Sequence, residues 1–388
     1  NIAKIGDLAA SAGLRRIHLL SWRDLDDVEA GGSEVHAATV ARFWAEAGLD
    51  VTLRTSYAQG QAPVVTRDGY RVIRRAGRYL VFPRAVTSEA LGRHGPRDAL
   101  VEIWNGMPFF SPIWARGPRV VVLHHVHAEM WKMVLGDDAP WAATMGDVIE
   151  RRLAPLAYKR SRIVTLSQSS KDDIVDLLGF RPERVNVVPP GVDPMFTPAG
   201  AKPPRPLIVA VGRLVPVKRY ERLIRAVAQA RRLRPDIELT IVGEGYDRPL
   251  LDEVVSDVDG AEWVTFVGRI SDAELVDLYR RAWLVASASA REGWGMSLTE
   301  AAACGTPAVA TRIAGHQDAV VDGQTGVLVD RDDLDGFADT LARLIDDDAL
   351  RAKLGTGAIA HAARFAWEAT ATGIMRALAT DAQRRSTR

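Results

Sequence analysis

The densest chemistry in the sequence is the run Arg291-Glu292-Gly293-Trp294-Gly295-Met296-Ser297-Leu298-Thr299-Glu300, which leaves an apolar strand, passes two glycines and enters a helix. Gly293 and Gly295 let the backbone approach a ligand closely. The amides of Met296, Ser297 and Leu298 fall at a helix start, where intrahelical acceptors are lacking and a pyrophosphate is well received. Glu292 comes before the turn and Glu300 one to two turns into the helix, so two carboxylates could take hydroxyl groups at opposite ends of one ligand. A Glu this near a helix start can equally do no more than offset the helix dipole.

A second anion signal is Gly212-Arg213-Leu214-Val215-Pro216-Val217-Lys218, directly after a strand and before a helix. Ligands bind at the C-terminal ends of strands in open α/β sheets, and Arg213 and Lys218 there could neutralise a departing diphosphate. A solvated loop carrying a pair of cations is the plain alternative. Gly243 and Glu244, after the next strand, are further candidates at the same edge. In the first half, Ala30-Gly31-Gly32-Ser33-Glu34 opens a helix and can turn amides toward an anion, with Ser33 as the expected cap. The G-x-G-x-x-G order of a dinucleotide site is absent. His124-His125-Val126-His127 ends an apolar strand. His125 and His127 share a face if extended, which by itself is thin support for a metal pair. Asp24-Leu25-Asp26 imitates a metal-binding D-x-D, and Trp22, Asp24, Asp26 and Asp27 suit either an acceptor pocket or an ordinary acidic loop.

These groups need a frame, and apolar runs rich in Val, Ile and Leu alternating with helical segments describe a parallel α/β sheet wrapped by helices. Strands are expected at Arg16 to Leu20, Val51 to Arg54, Leu100 to Trp104, Val120 to His124, Ile163 to Leu166 and Val185 to Val188, with a helix from Ser33 to Gly48. The proline-rich stretch from Pro189 to Pro206 reads as a linker. A second series follows at Leu207 to Val211, Glu238 to Val242, Trp263 to Val267, Leu284 to Ser287, Pro307 to Ala310 and Gly326 to Val329. The expected division is residues 1–194, 195–365, and a C-terminal helix in 366–388 that returns to the first domain.

Composition bounds the function. The 388 residues exceed what one core usually serves at ~150 residues per domain. Lys plus Arg (50) nearly cancels Asp plus Glu (49), so no global field points to nucleic acid. The single cysteine, Cys304, excludes an internal disulfide and a thiolate metal cage, and makes the cytoplasm the expected compartment. No apolar run approaches the ~20 residues that span a bilayer, and Asn1 to Gly13 lacks the order of a signal peptide. Any membrane contact is then peripheral, at the inner face. Ile149 to Arg162, with Arg151, Arg152, Lys159, Arg160 and Arg162 beside Ile149, Leu153, Leu156 and Tyr158, suits anionic lipid or simply a helix packed by its apolar side.

Together the motifs resemble the retaining GT-B glycosyltransferases of family 4. The likeness rests on Glu292-x7-Glu300 continuing into Ala301-Ala302-Ala303-Cys304-Gly305-Thr306-Pro307, the Arg213/Lys218 pair, Val267-Gly268-Arg269, Gly323-Gln324-Thr325-Gly326 and Phe365-Ala366-Trp367-Glu368. It implies two Rossmann-like domains facing a central cleft that closes on its substrates. It also implies transfer of a hexose from a UDP- or GDP-linked donor to a glycolipid, glycan or small-molecule acceptor, with no cofactor or catalytic metal. Arg213 and Lys218 would meet the diphosphate, Glu292 the sugar, Glu300 the ribose, and the backbone of Gly268, Arg269 and Ile270 the base. Gly31 and Gly32 would form the glycine-rich loop of the first domain. The resemblance also places an active-site histidine at a strand end, His124 by preference and His125 as the alternative. His316-Gln317-Asp318 after Gly315 departs from the family's small apolar residue, Pro and Glu. A nucleotide-sugar epimerase and an inactive nucleotide-sugar binder are the competing readings; a dinucleotide oxidoreductase is disfavoured by the missing glycine fingerprint.

Overall fold

The computed structural model describes residues 2–135 and 139–387, which divide into a unit of residues 1–191 with 366–388 and a unit of residues 192–365. The first unit is built on an eight-stranded sheet of β1 (Arg16–Leu20), β2 (Asp50–Thr55), β3 (Val64–Arg67), β4 (Tyr70–Arg74), β5 (Ala99–Trp104), β6 (Arg119–Leu123), β7 (Arg162–Thr165) and β8 (Val185–Val187). Their order is β3-β4-β2-β1-β5-β6-β7-β8, and every pairing is parallel except β3 with β4. β5 is buried along its whole length, as a strand covered on both faces must be.

The hairpin β3–β4 was not expected from the sequence, because its strands are short and polar-rich. Its turn is Asp68-Gly69, both at positive φ (44° and 82°), which is the backbone that two-residue hairpins prefer. That dipeptide was the legible signal. A helix at Ile2–Ser11 is likewise additional. The helix expected from Ser33 runs Gly32–Glu46, and Ser33 does not cap it. Gly31 takes the N-cap position, its amide donates to Glu34 Oε2 at 2.8 Å, and the Ser33 hydroxyl donates to that same carboxylate.

The C-terminal helix, Trp367–Ser386, belongs to the first unit. Trp44 Nε1 donates to Ala371 O at 3.0 Å, Thr370 Oγ1 to Pro189 O at 2.7 Å, and the Arg119 amide to Asp381 at 3.0 Å. At its start the chain is so close to Gly191 that a Cβ there would lie 2.1 Å from the Trp367 amide nitrogen.

The second unit carries β9 (Leu207–Val211), β10 (Glu238–Val242), β11 (Val264–Gly268), β12 (Leu284–Ser287), β13 (Ala308–Thr311) and β14 (Gly326–Val329), all parallel in the order β11-β10-β9-β12-β13-β14. The order of strand addition reverses between β9 and β12, which opens a crevice at their C-terminal ends. Ile208, Ile224, Leu239, Ile241, Leu284 and Val309 anchor its core, so the strand ends that carry the site residues are held by apolar packing. Among the described residues, no helix is long and apolar enough to cross a membrane.

Candidate functional site

The crevice of the second unit gathers the loops after β9 and β12. Lys218 Nζ reaches Glu292 Oε1 in an ion pair, and Ser289 Oγ donates to the same oxygen at 3.0 Å. Burial pushes the Glu292 carboxyl up, but Lys218 and the Ser289 hydrogen bond outweigh it and hold the group below the usual carboxylate range. It is therefore ionised near neutral pH. Lys218 folds back over Gly212, whose φ of 153° and lack of a side chain leave the space. Arg213 stands beside them, and its guanidinium makes no ion pair among the described residues. A half-buried cation without a carboxylate suits an anionic ligand.

Backbone hydrogen bonds lace the neighbouring strand ends into one rim. Gly212 N donates to Val242 O at 2.9 Å, Leu214 N to Glu244 O at 2.9 Å, and Gly243 N to Gly268 O at 2.8 Å. The approach at Gly243 tolerates no side chain, since a Cβ would fall 2.0 Å from Gly212 O. Glu244 and Arg269 are both exposed on this rim, 4.0 Å apart, and Ile270 is half-buried next to them.

The helix Met296–Ala303 starts at Gly295, whose φ of 111° makes the sharp turn out of the glutamate loop. The amides of Met296 and Ser297 have no acceptor among the described residues. Leu298 was expected to offer a third free amide and does not: it donates to Gly295 O at 3.0 Å as the first turn tightens. Glu300, one turn on, accepts from the Tyr279 hydroxyl at 3.2 Å, and burial pushes its carboxyl up to about 7 in spite of that bond. Such a group gains most from a ligand that donates hydrogen bonds to it. Gly315 presses on the turn from behind; a Cβ there would lie 2.6 Å from Trp294 N and 2.7 Å from Glu292 O.

In the first unit the equivalent crevice lies between β1 and β5. Asn105 Nδ2 donates to Ser33 Oγ at 2.8 Å, tying the β5 loop to the glycine turn at Gly31 and Gly32. His124 is the histidine preferred from the sequence. Its ring is buried, 3.5 Å from His36 Nδ1, and burial pushes its pKa down to about 4, so it is a neutral core residue. His125 is half-buried and stacks on His127 with ring centroids 4.8 Å apart.

His127, which the sequence singled out only beside His125 as a thin metal pair, is tied to a buried carboxylate. Its amide donates to Glu150 Oε1 at 2.8 Å, its Nδ1 lies 3.6 Å from that carboxylate, and its Nε2 faces Gly106 at the end of β5. Glu150 is fully buried inside a π-helical turn, Ile149–Leu153, and also takes the Ala128 amide at 2.9 Å. Insertions of this kind re-aim one side chain and cluster at functional sites. Asp24 and Asp26 are not open ligands: Arg67 reaches Asp24 at 2.9 Å and Asp26 at 2.6 Å, while Arg74 reaches Asp26 at 2.7 Å. That locks the loop after β1 to the β3–β4 hairpin.

Paired parallel sheets of these orders are the architecture of the GT-B glycosyltransferases, and solved structures agree. Sucrose-phosphate synthase from Thermosynechococcus elongatus superposes with a TM-score of 0.81 at 20% identity, covering 96% of this chain and 99% of that one. HepE from Anabaena, solved with UDP-glucose, gives 0.72 at 19% identity, covering 96% and 100%. Residues 30–196 match Glycosyltransferase Family 4 and residues 194–361 match Glycosyl transferases group 1. A D-inositol 3-phosphate glycosyltransferase of Salinispora arenicola is 32% identical over 89% of this chain and 86% of its own. One from Acidothermus cellulolyticus is 31% identical over 89% and 85%. The chain belongs to glycosyltransferase family 4, the glycosyl transferases of group 1.

Proposed function

We propose that the protein is a retaining hexosyltransferase whose second unit holds a UDP- or GDP-linked sugar and whose first unit holds the acceptor. The observation that carries this reading is the joint placement of Arg213, the Lys218–Glu292 pair and the open amides of Met296 and Ser297 at one sheet's switch point. The diphosphate lies against Arg213, Lys218 and the amides, Glu292 takes hydroxyls of the hexose, Glu300 takes the ribose, and the rim at Gly243, Glu244 and Gly268 to Ile270 takes the base. Cations and amides supply the charge stabilisation that a metal would otherwise give, so transfer proceeds in the presence of chelator.

In the first unit, His127, held by Glu150 and stacked with His125, is the histidine that serves the acceptor. The leaving diphosphate accepts the acceptor's proton on the face it departs from, which retains the anomeric configuration. UDP is the first nucleotide to test, given the ligand named with HepE, and a small phosphorylated polyol is the first acceptor, given the names of the relatives.

Trp141, Met145 and Val148 lie exposed along one side of the helix Pro140–Val148, and Leu153 and Leu156 beyond it are exposed too. Cavities of about 400 and 620 Å³ flank Lys159 and Arg160 and are lined by Arg181 and Arg184 on one side and Arg119, Arg384 and Arg385 on the other. This combination supports peripheral contact with an anionic bilayer, and vesicles containing anionic lipid should sediment the protein where neutral ones do not. The catalytic reading is tested by thermal shift with UDP, GDP and ADP, then by nucleotide release with acceptor. A selective rise in melting temperature and acceptor-dependent release are expected. Isomerised sugar without release would instead identify an epimerase.

A further inference from the structure

Behind the Glu292 turn sits His316, first residue of the short helix His316–Ala319 and almost wholly buried. Its Nδ1 lies 3.0 Å from the Thr311 carbonyl oxygen, an atom that can only accept, so Nδ1 carries the ring proton. Burial pushes the imidazole down to about 4, against the pull of Glu292, and the ring is neutral at working pH. Nε2 is then a bare acceptor. Three contacts here share two hydroxyl protons: Ser287 Oγ donates to Nε2 at 3.4 Å, and Ser289 divides its proton between Glu292 at 3.0 Å and Ser287 Oγ at 3.1 Å. The ring also packs on the turn itself, its Cδ2 only 3.1 Å from where a Cβ on Gly295 would stand.

Glu292 has two strong partners, Lys218 and Ser289, on the same oxygen. A diphosphate competes for Lys218, and whatever ammonium contact Glu292 loses to it leaves Ser289 as the group that fixes the carboxylate. Ser289 is itself buried and tied at its carbonyl by the Thr311 hydroxyl at 2.6 Å, so His316 and Thr311 grip the same short segment from the same side. We propose that His316 is a positioning residue, which through Ser287 and Ser289 keeps the Glu292 carboxylate aimed at the hexose once Lys218 has turned to the donor's diphosphate. The proposal rests on the reading that Glu292 faces the donor sugar. His316 touches no substrate; its effect is on how well one carboxylate is aimed when the sugar departs, and so on turnover more than on donor binding.

Asparagine can imitate Nδ1 and glutamine Nε2, which separates the two halves of the ring. His316→Asn should retain the bond to Thr311, lose Ser287 and lower kcat about tenfold, with the donor KM within about threefold. Ser287→Ala should do the same. Because both act through one chain of contacts, the double variant should be no slower than the slower single one. His316→Gln should recover at least a third of the lost kcat. Losses that multiply in the double variant, an unchanged kcat in His316→Asn, or an effect on KM alone would overturn the proposal. Should His316→Asn fail to fold, as judged by its melting temperature, Ser287→Ala and His316→Gln carry the test. Glu292→Gln separates the failures. If it keeps full activity, the reading of Glu292 is wrong; if it is inactive while the His316 and Ser287 variants turn over normally, only the role of His316 falls.

Discussion

Replacing Lys218 by Ala should cost turnover far more than fold. The ammonium is part-buried, 22% exposed, opposite a carboxylate that is 18% exposed. Two unit charges about 4 Å apart in such surroundings interact by about 4 kcal/mol at an effective dielectric of 20, and exposure discounts that figure. Loss of one preorganised charge stabiliser typically removes about 3 kcal/mol from the transition state, or roughly 10² to 10³ in kcat. Glu292 would at the same time lose its principal counter-charge, and burial, no longer opposed by it, would push the carboxyl upward. The expected result is therefore a kcat lower by about 10²-fold, a modest rise in donor KM and a small loss of melting temperature. Lys218→Arg, which keeps the charge but not the compact ammonium, should recover only part. The assay is single-turnover nucleotide release with UDP- and GDP-hexoses at saturating donor. Lys218→Ala turning over within threefold of the parent, with its fold intact, would refute the placement of the diphosphate.

Glu300 sets a pH dependence on nucleotide binding. Its carboxyl is raised from 4.5 to about 7, so the stability it contributes is complete below 4.5 and is lost as pH rises through about 7. Ribose hydroxyls donate to the carboxylate, so calorimetric affinity for the nucleotide should rise by about tenfold from pH 6 to pH 8, and Glu300→Gln should flatten that rise. Gly315→Ala and Gly323→Ala share a positive φ (83° and 71°), but only the former drives a Cβ into backbone. Gly323→Ala should cost about 1–2 kcal/mol by denaturation with activity intact, whereas Gly315→Ala should be less stable and lose transfer, since it shifts the Glu292 turn. His127→Ala should lower kcat by roughly 10²-fold, while His124→Ala should lower melting temperature and leave kcat in place; the reverse pattern would restore His124 to the site.

Much of the architecture was legible because the strands of the second unit are short and mostly apolar, and β9, β10 and β13 abut glycine or proline. β9, β10, β12 and β14 fall at their expected ends. The hairpin β3–β4 escaped because Val64–Arg67 is a four-residue edge strand, Val-Val-Thr-Arg, with no apolar alternation, and Asp68-Gly69 was its only strong mark. Glu292, Arg213 and Lys218 could be singled out from residue type next to turns, since charge beside a strand end is a local pattern. The choice among the three histidines was not so readable. Alternation along the strand end puts His125 and His127 on one side and His124 on the other, but which side faces the core depends on packing against the helix Gly32–Glu46. The support of His127 comes from Glu150 across a π-helical turn, and no sequence period announces such a turn.

The central claim is that the loops after β9, β10, β11 and β12 make one site for an activated sugar. A crystal structure with an intact UDP- or GDP-hexose tests it most directly. The diphosphate should lie on Arg213, Lys218 and the amides of Met296 and Ser297, with Glu292 on the hexose and Glu300 on the ribose. A nucleotide seated elsewhere, with Lys218 still bound to Glu292 and the Met296 and Ser297 amides facing only water, would contradict it.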